Sequence, residues 1–182
     1  RSLAQQLATG PGATTVEELL AQPSPSKPGM TLAEQKADLF NRIREVFNVG
    51  RMVRIDGPCG GYSHNAKTVA GVLLAVEGGT DEAAKDVCMH IAASRPTGLA
   101  IEDLDPLLVE KEKEILRAAA LKEGKPAEIV DKMVQGRLRS FYAEKVLLEQ
   151  PFVKDDKVTV SKYCATHGMK LLQFVHWEFG QQ

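Results

Sequence analysis

Several functional classes are excluded by what this sequence lacks. Its three cysteines, Cys59, Cys88 and Cys164, are far apart and form no Cys-x-x-Cys pair, which argues against a disulfide framework and for a reducing compartment. A cytoplasmic location is therefore expected. The longest apolar runs, such as Val69 to Val76, fall well short of the ~20 residues that span a bilayer. The first residues carry no signal-peptide pattern, and no membrane association is expected. Charge of one sign is also missing: 23 Lys and Arg are mixed with 24 Asp and Glu for a net charge of -1. The electrostatic footprint of a nucleic-acid binder is thus absent, and no direct nucleic-acid partner is expected.

Catalytic motifs are equally scarce. Neither a GxxxxGK[ST] phosphate loop nor a GxGxxG strand-to-helix turn occurs, and no serine, cysteine or lysine has a recognisable nucleophile context. The expectation is a chain without a cofactor that is not an enzyme. Cys164-Ala-Thr-His167, with His176 nearby, has the spacing of two metal ligands. A tetrahedral site needs three or four plus supporting groups, so a buried thiol beside a helix-terminal histidine is the better reading.

What is present is 182 residues with 43% hydrophobic and 26% charged content, enough for one domain or two small subdomains with a real core. Local signals agree best between Leu107 and Val153. Asp105 and Pro106 supply an N-cap and a proline at the first helical position, and the run continues to Glu123 before Gly124. A second helix is expected from Pro126 to about Gln150, ahead of Pro151. With so short a turn the two must form an antiparallel helical hairpin. Val130, Val134, Leu138 and Phe141 give the second helix an apolar seam, matched by Leu108, Ile115 and Ala119 on the first. The charged remainder, including Glu110 to Glu114, implies a hairpin that projects into solvent as a coiled coil.

Before the hairpin, the pattern predicts short helices around Leu3 to Ala8 and from Thr14 or Thr15 to Leu20, then a proline-rich solvated loop over 22–29. Thr31 and Glu34 form a capping box opening an amphipathic helix to about Asn48. Arg51 to Asp56 alternates as a half-buried strand, Cys59 to His64 resumes an extended path, and Thr68 to Val76 reads as a buried strand whose Gly71 suggests close backbone approach. A helix follows from Asp81 to about Ser94, in which His90 reads as structural. After the hairpin come a short helix over Val158 to Thr166 and a last strand, Leu171 to Phe179, with Leu172, Phe174, His176 and Glu178 on one face. The fold class is α+β, with a mostly antiparallel sheet packed with helices.

These blocks carry a family resemblance. Met89 to Ser94, Val109 to Glu114, Glu123-Gly-Lys-Pro126, Met133 to Leu138 with Phe141-Tyr142, and Leu148 to Val153 occur in the order seen in bacterial elongation factor Ts. The resemblance implies a guanine-nucleotide exchange factor that promotes GDP release from the GTPase elongation factor Tu. It also implies a core in parts: residues 1–56 as the remainder of a first subdomain, 57–104 with 154–182 as a second, and 105–153 as the inserted hairpin. By resemblance His64, within Tyr62-Ser-His64 ahead of the strand Gly71-Val-Leu-Leu74, lies at the contact with factor Tu, and Tyr62 goes with it. Asn65-Ala66 stands where the family has a glycine-rich step. Ile43 falls where the family has Ile-Gly-Glu at the same interface, with Glu45 keeping the acid and Arg44 replacing the glycine; a core position on its helix is an equal reading.

The family's Thr-Asp-Phe-Val segment is not in this sequence, nor is its amino-terminal helical module, and Arg1 is not a methionine. A fragment of a longer chain, with impaired exchange, is the expectation. Some shorter family members dimerise through the sheet, so a homodimer is a further expectation. The competing class is a pure interaction or dimerisation module without exchange activity, and a metal-dependent enzyme is a distant third.

Overall fold

A computed structural model describes residues 2–65, 69–124 and 126–179. The chain divides into two compact units, Arg1–Ile55 and Asp56–Gln182.

The first unit is built from capping chemistry around a small apolar centre. Helices α1 (Ser2–Thr9), α2 (Val16–Leu20) and α3 (Leu32–Ile43) place Leu7, Leu19 and Leu32 together in its core. Thr15 and Glu18 form a reciprocal capping box on α2, as do Thr31 and Glu34 on α3. The proline-rich loop is tied down: the buried Ser24 hydroxyl donates to Gln35 Oε1 at 2.7 Å, and its amide donates to the Met30 carbonyl. Two expectations are corrected. Helix α3 stops at Ile43 instead of Asn48, because Arg44 takes a left-handed conformation (φ 63°) and closes the helix by donating its N–H to the Phe40 carbonyl at 2.7 Å. Arg51 to Asp56 is irregular and belongs to neither sheet of the described residues; a pattern of apolar and polar residues does not by itself supply the ladder that makes a strand.

The second unit is an antiparallel sheet in the order β1 (Cys59–Asn65), β2 (Val69–Gly78), β5 (Met169–Glu178), joined to α4 (Asp81–Ser94). Val72, Leu74 and Val76 of β2 pack with Val87, Cys88 and Ile91 of α4, and Leu147, Phe152 and Val160 close the same core. Gly60 permits this close seating, since a Cβ there would lie 2.9 Å from that of Ala84. Gly71 does not play the expected role, for nothing lies within 4 Å of a Cβ built on it.

A register shift at Ala75/Val76 places Leu171 opposite Val76 and Gln173 opposite Ala75. Leu172 is thereby the extra residue of a bulge and is exposed, while Leu171 is buried in its place. That corrects the alternation expected for this strand. The short strands β3 (Pro151–Phe152) and β4 (Asp155–Thr159) form a two-stranded sheet ahead of α7 (Val160–Thr166). The expected helix start at Val158 gives way to β4, with Thr159 as the N-cap.

Helices α5 (Pro106–Lys122) and α6 (Ala127–Lys145) pack side by side across the turn at Gly124, whose φ is 71°. Val130, Val134 and Leu138 are buried as expected, with Phe141 against them. On α5, however, the seam is Val109, Leu116 and Ala120, one residue along from the expected stripe. Leu108 and Ile115 are exposed. Arg117 to Asp131 and Arg137 to Glu123 cross between the helices at 2.7 and 2.8 Å. Helix α6 ends at Lys145, short of Gln150, and a single 3-10 turn, Leu147–Glu149, follows.

Candidate functional site

Strand β1 pairs with β2 on one side only, so it forms an edge of the three-stranded sheet. Gly60, Tyr62 and His64 share the face that meets α4, because strand side chains alternate. Burial decreases along that face: Gly60 is buried against Ala84, Tyr62 packs half-buried on the core, and His64 is exposed. The Tyr62 hydroxyl and His64 Nδ1 lie 3.1 Å apart, with their ring centroids separated by 6.1 Å. Phenol and imidazole therefore orient one another at the rim.

Register places more polar groups on this face. Tyr62 lies opposite Val72, which lies opposite His176; His64 lies opposite Ala70, which lies opposite Glu178. At the end of α4, Arg95 takes a left-handed cap conformation (φ 49°) and its Nε donates to Glu178 Oε1 at 2.5 Å. His176 Nε2 stands 3.5 Å from the same carboxylate oxygen and finds no hydrogen-bond partner among the described residues. Burial holds the His176 imidazole below its ordinary pKa and Arg95 adds to this, while Glu178 opposes it.

Of the residues singled out in the sequence, the structure brings Tyr62 and His64 together. Ile43 belongs to the other unit, where it is the last residue of α3 and is 49% exposed, so it is not a core position. Phe40, Val46 and Phe47 are exposed beside it in sequence. An apolar groove of about 350 Å³ runs along α3, lined by Leu3, Leu32, Leu39 and Phe47 among others.

Nucleophilic chemistry finds little support among the described residues. Burial pushes the Cys88 thiol up to about 12 and the Cys164 thiol up to about 11, so both stay protonated. His167 closes α7 with Nδ1 2.8 Å from the Tyr163 carbonyl oxygen and its ring 4.2 Å from that of Tyr163. Among the described residues no three His, Cys, Asp or Glu side chains converge as a metal site, and no helix is long and apolar enough to cross a membrane. What the β1 rim offers is a hydrogen-bonding surface.

The family model for elongation factor Ts matches residues 2–181. This chain belongs to the elongation factor Ts family. Curated factor Ts proteins resemble it along most of its length: that of Thioalkalivibrio sulfidiphilus is 41% identical over 170 residues, covering 91% of this chain and 56% of the relative. Factor Ts of Methylococcus capsulatus is 40% identical over 178 residues, covering 96% of this chain and 59% of the relative. That of Francisella tularensis subsp. novicida is 38% identical over 170 residues, covering 93% and 57%. The chain thus spans a little over half the length of these factor Ts relatives.

Sequence reasoning missed Arg95, and it gave His176 and Glu178 no place beside Tyr62 and His64. Alternation alone puts His176 and Glu178 on a common face. Which face, and opposite which residues of β2, depends on register and on the bulge at Ala75/Val76.

Proposed function

We propose that this chain docks on the GTPase elongation factor Tu and promotes release of GDP, acting as a guanine-nucleotide exchange factor of translation in the cytoplasm. The observation that carries the reading is the exposed His64 imidazole, oriented by Tyr62 on an edge strand, in a chain of the factor Ts family. His64, Tyr62 and Ile43 are the partner-binding residues in this reading. An exchange factor needs no catalytic side chain: it binds the nucleotide-free GTPase best, and linkage then requires it to weaken nucleotide affinity by the same factor. The subdivision into 1–56, 57–104 with 154–182, and a projecting coiled-coil hairpin at 105–153 belongs to the same reading.

The test is release of a fluorescent GDP analogue from factor Tu of the same organism, with this chain and with His64→Ala. Acceleration that His64→Ala reduces about tenfold supports both the activity and the site, the loss expected of one polar contact at an interface. Binding without acceleration leaves a docking module. Absence of binding overturns the reading and favours a second one, self-association, for which the exposed Val69 and Leu172 of the sheet, with the exposed Phe179 just past β5, are the supporting observation.

A further inference from the structure

His90 lies fully buried on α4, and both of its ring nitrogens are used in opposite senses. The Val153 amide donates to Nδ1 at 3.1 Å, so Nδ1 carries no proton. The proton therefore resides on Nε2, which donates to Gln150 Oε1 at 2.8 Å. The amide nitrogen of Gln150 in turn donates to the Glu144 carbonyl at 2.8 Å, in the last turn of α6. Gln150 is itself buried, and the His90 ring lies 5.8 Å from that of Phe152. One polar chain thus links α4 to the point where α6 returns to the sheet.

The same junction is sewn by backbone. The Thr97 amide donates to the Lys145 carbonyl at 2.7 Å, and the Leu147 amide to the Gly98 carbonyl at 2.9 Å. Protonation of His90 would place an N–H on Nδ1 against the Val153 N–H, two donors facing each other beside a fully buried ring. The chain cannot survive that state intact.

We infer that His90 is a proton-sensitive latch at the root of the α5–α6 pair, closed when the imidazole is neutral and released when it is charged. The charged and titratable groups on the surrounding elements do not replace the lost acceptor. Asp86 of α4 is engaged by Lys154 Nζ at 2.6 Å and by the Tyr163 hydroxyl at 3.3 Å, Glu144 pairs with Lys145, and Glu149 lies on the 3-10 turn. Burial lowers the affinity of His90 for a proton, and its bond to Gln150 opposes this in part. The latch is therefore shut at neutral pH and opens on the acid side of the ordinary histidine range. It does not depend on what the chain docks with.

The experiment is amide hydrogen exchange on the whole chain between pH 7.5 and 5, corrected for the intrinsic pH dependence of exchange, with the His90 ring followed by NMR. In the wild type, protection across 144–153 should fall several-fold on acidification, because the opened latch binds a proton more tightly than the closed one. Loss of protection and the ring titration should share one midpoint, while β2 stays protected. His90→Gln keeps a donor and an acceptor but cannot charge, so its protection should be flat with pH; His90→Phe should already be unprotected at pH 7.5. Flat wild-type protection overturns the latch whether or not the ring titrates. So does a His90→Gln profile that falls in step with the wild type.

Discussion

The two units of this chain use apolar residues differently. In the second, Leu74 is 0% exposed at the centre of β2, and the sheet, α4 and α7 close around a core that includes Val87, Ile91, Phe152 and Val160. In the first, Leu7, Leu19 and Leu32 are buried, yet Leu39, Phe40, Ile43 and Phe47 remain exposed and Val46 is 74% exposed. Three short helices and an irregular run present fewer surfaces than α3 has apolar positions. An amphipathic stripe shows that a helix can bury a face; whether its own unit supplies the cover is a separate matter.

The contrast is broken or confirmed most sharply by paired truncations. Leu74→Ala removes side-chain volume from a site with no exposure, and should cost the second unit about 3–4 kcal/mol, the range for a buried leucine whose surroundings relax only partly. Phe40→Ala removes more atoms from a position that is 40% exposed, and should cost the first unit under about 1 kcal/mol. Urea unfolding followed by the single tryptophan, Trp177 in the second unit, reports the first variant, and far-UV circular dichroism reports the second. Equal losses would show that α3 is covered in solution.

Much of the fold was legible because some signals are local. The Thr31 and Glu34 capping box, Asp105 with Pro106, and Gly124 each act through neighbouring backbone, and each sits where the sequence placed it. Signals that need a second element were less complete. Periodicity fixed the spacing of the α5 seam but not its row, since Leu108, Ile115 and Ala119 repeat as well as Val109, Leu116 and Ala120 do. The alternation of Arg51 to Asp56 carried no information about a pairing partner. In the candidate site, the proximity of Tyr62 and His64 follows from i, i+2 spacing on a strand. The Arg95–Glu178 pair is separated by 83 residues and no local rule reaches it.

Acid should separate the units at different pH. His64, His90, His167 and His176 all lie in the second unit, and burial holds His90 and His176 below their ordinary value of 6.5. The unfolded chain therefore takes up protons before the folded one does. Stability from these two groups is fully present above about pH 6.5 and is lost as pH falls through their lower folded values. In the first unit the corresponding groups are Glu18 and Glu34, whose carboxylates are held down mainly by hydrogen bonds from the Thr14 and Thr31 amides, and Asp38, held down by Lys27. The contribution of the two glutamates persists until pH drops below about 4.5, and that of Asp38 until about 3.8, and each then declines. Urea midpoints measured from pH 7.5 to 3.5 should show the tryptophan-reported transition weakening first. Simultaneous loss would mean that the buried histidines are not neutral or that the units unfold as one.

The smallest expected effect tests how α3 ends. Arg44 holds φ 63°, a left-handed conformation that costs a residue with a Cβ about 1–2 kcal/mol and glycine far less. Glycine gives back part of that difference through its greater freedom in the unfolded chain, about 0.5–1 kcal/mol. Arg44→Gly should therefore stabilise the first unit by about 0.5–1 kcal/mol and leave the tryptophan-reported transition of the second unchanged. Arg44→Ala removes the guanidinium but keeps the Cβ, so it should not reproduce the gain. If alanine stabilises as much as glycine, the strain at this cap lies in the arginine side chain, and the left-handed backbone is not the cause.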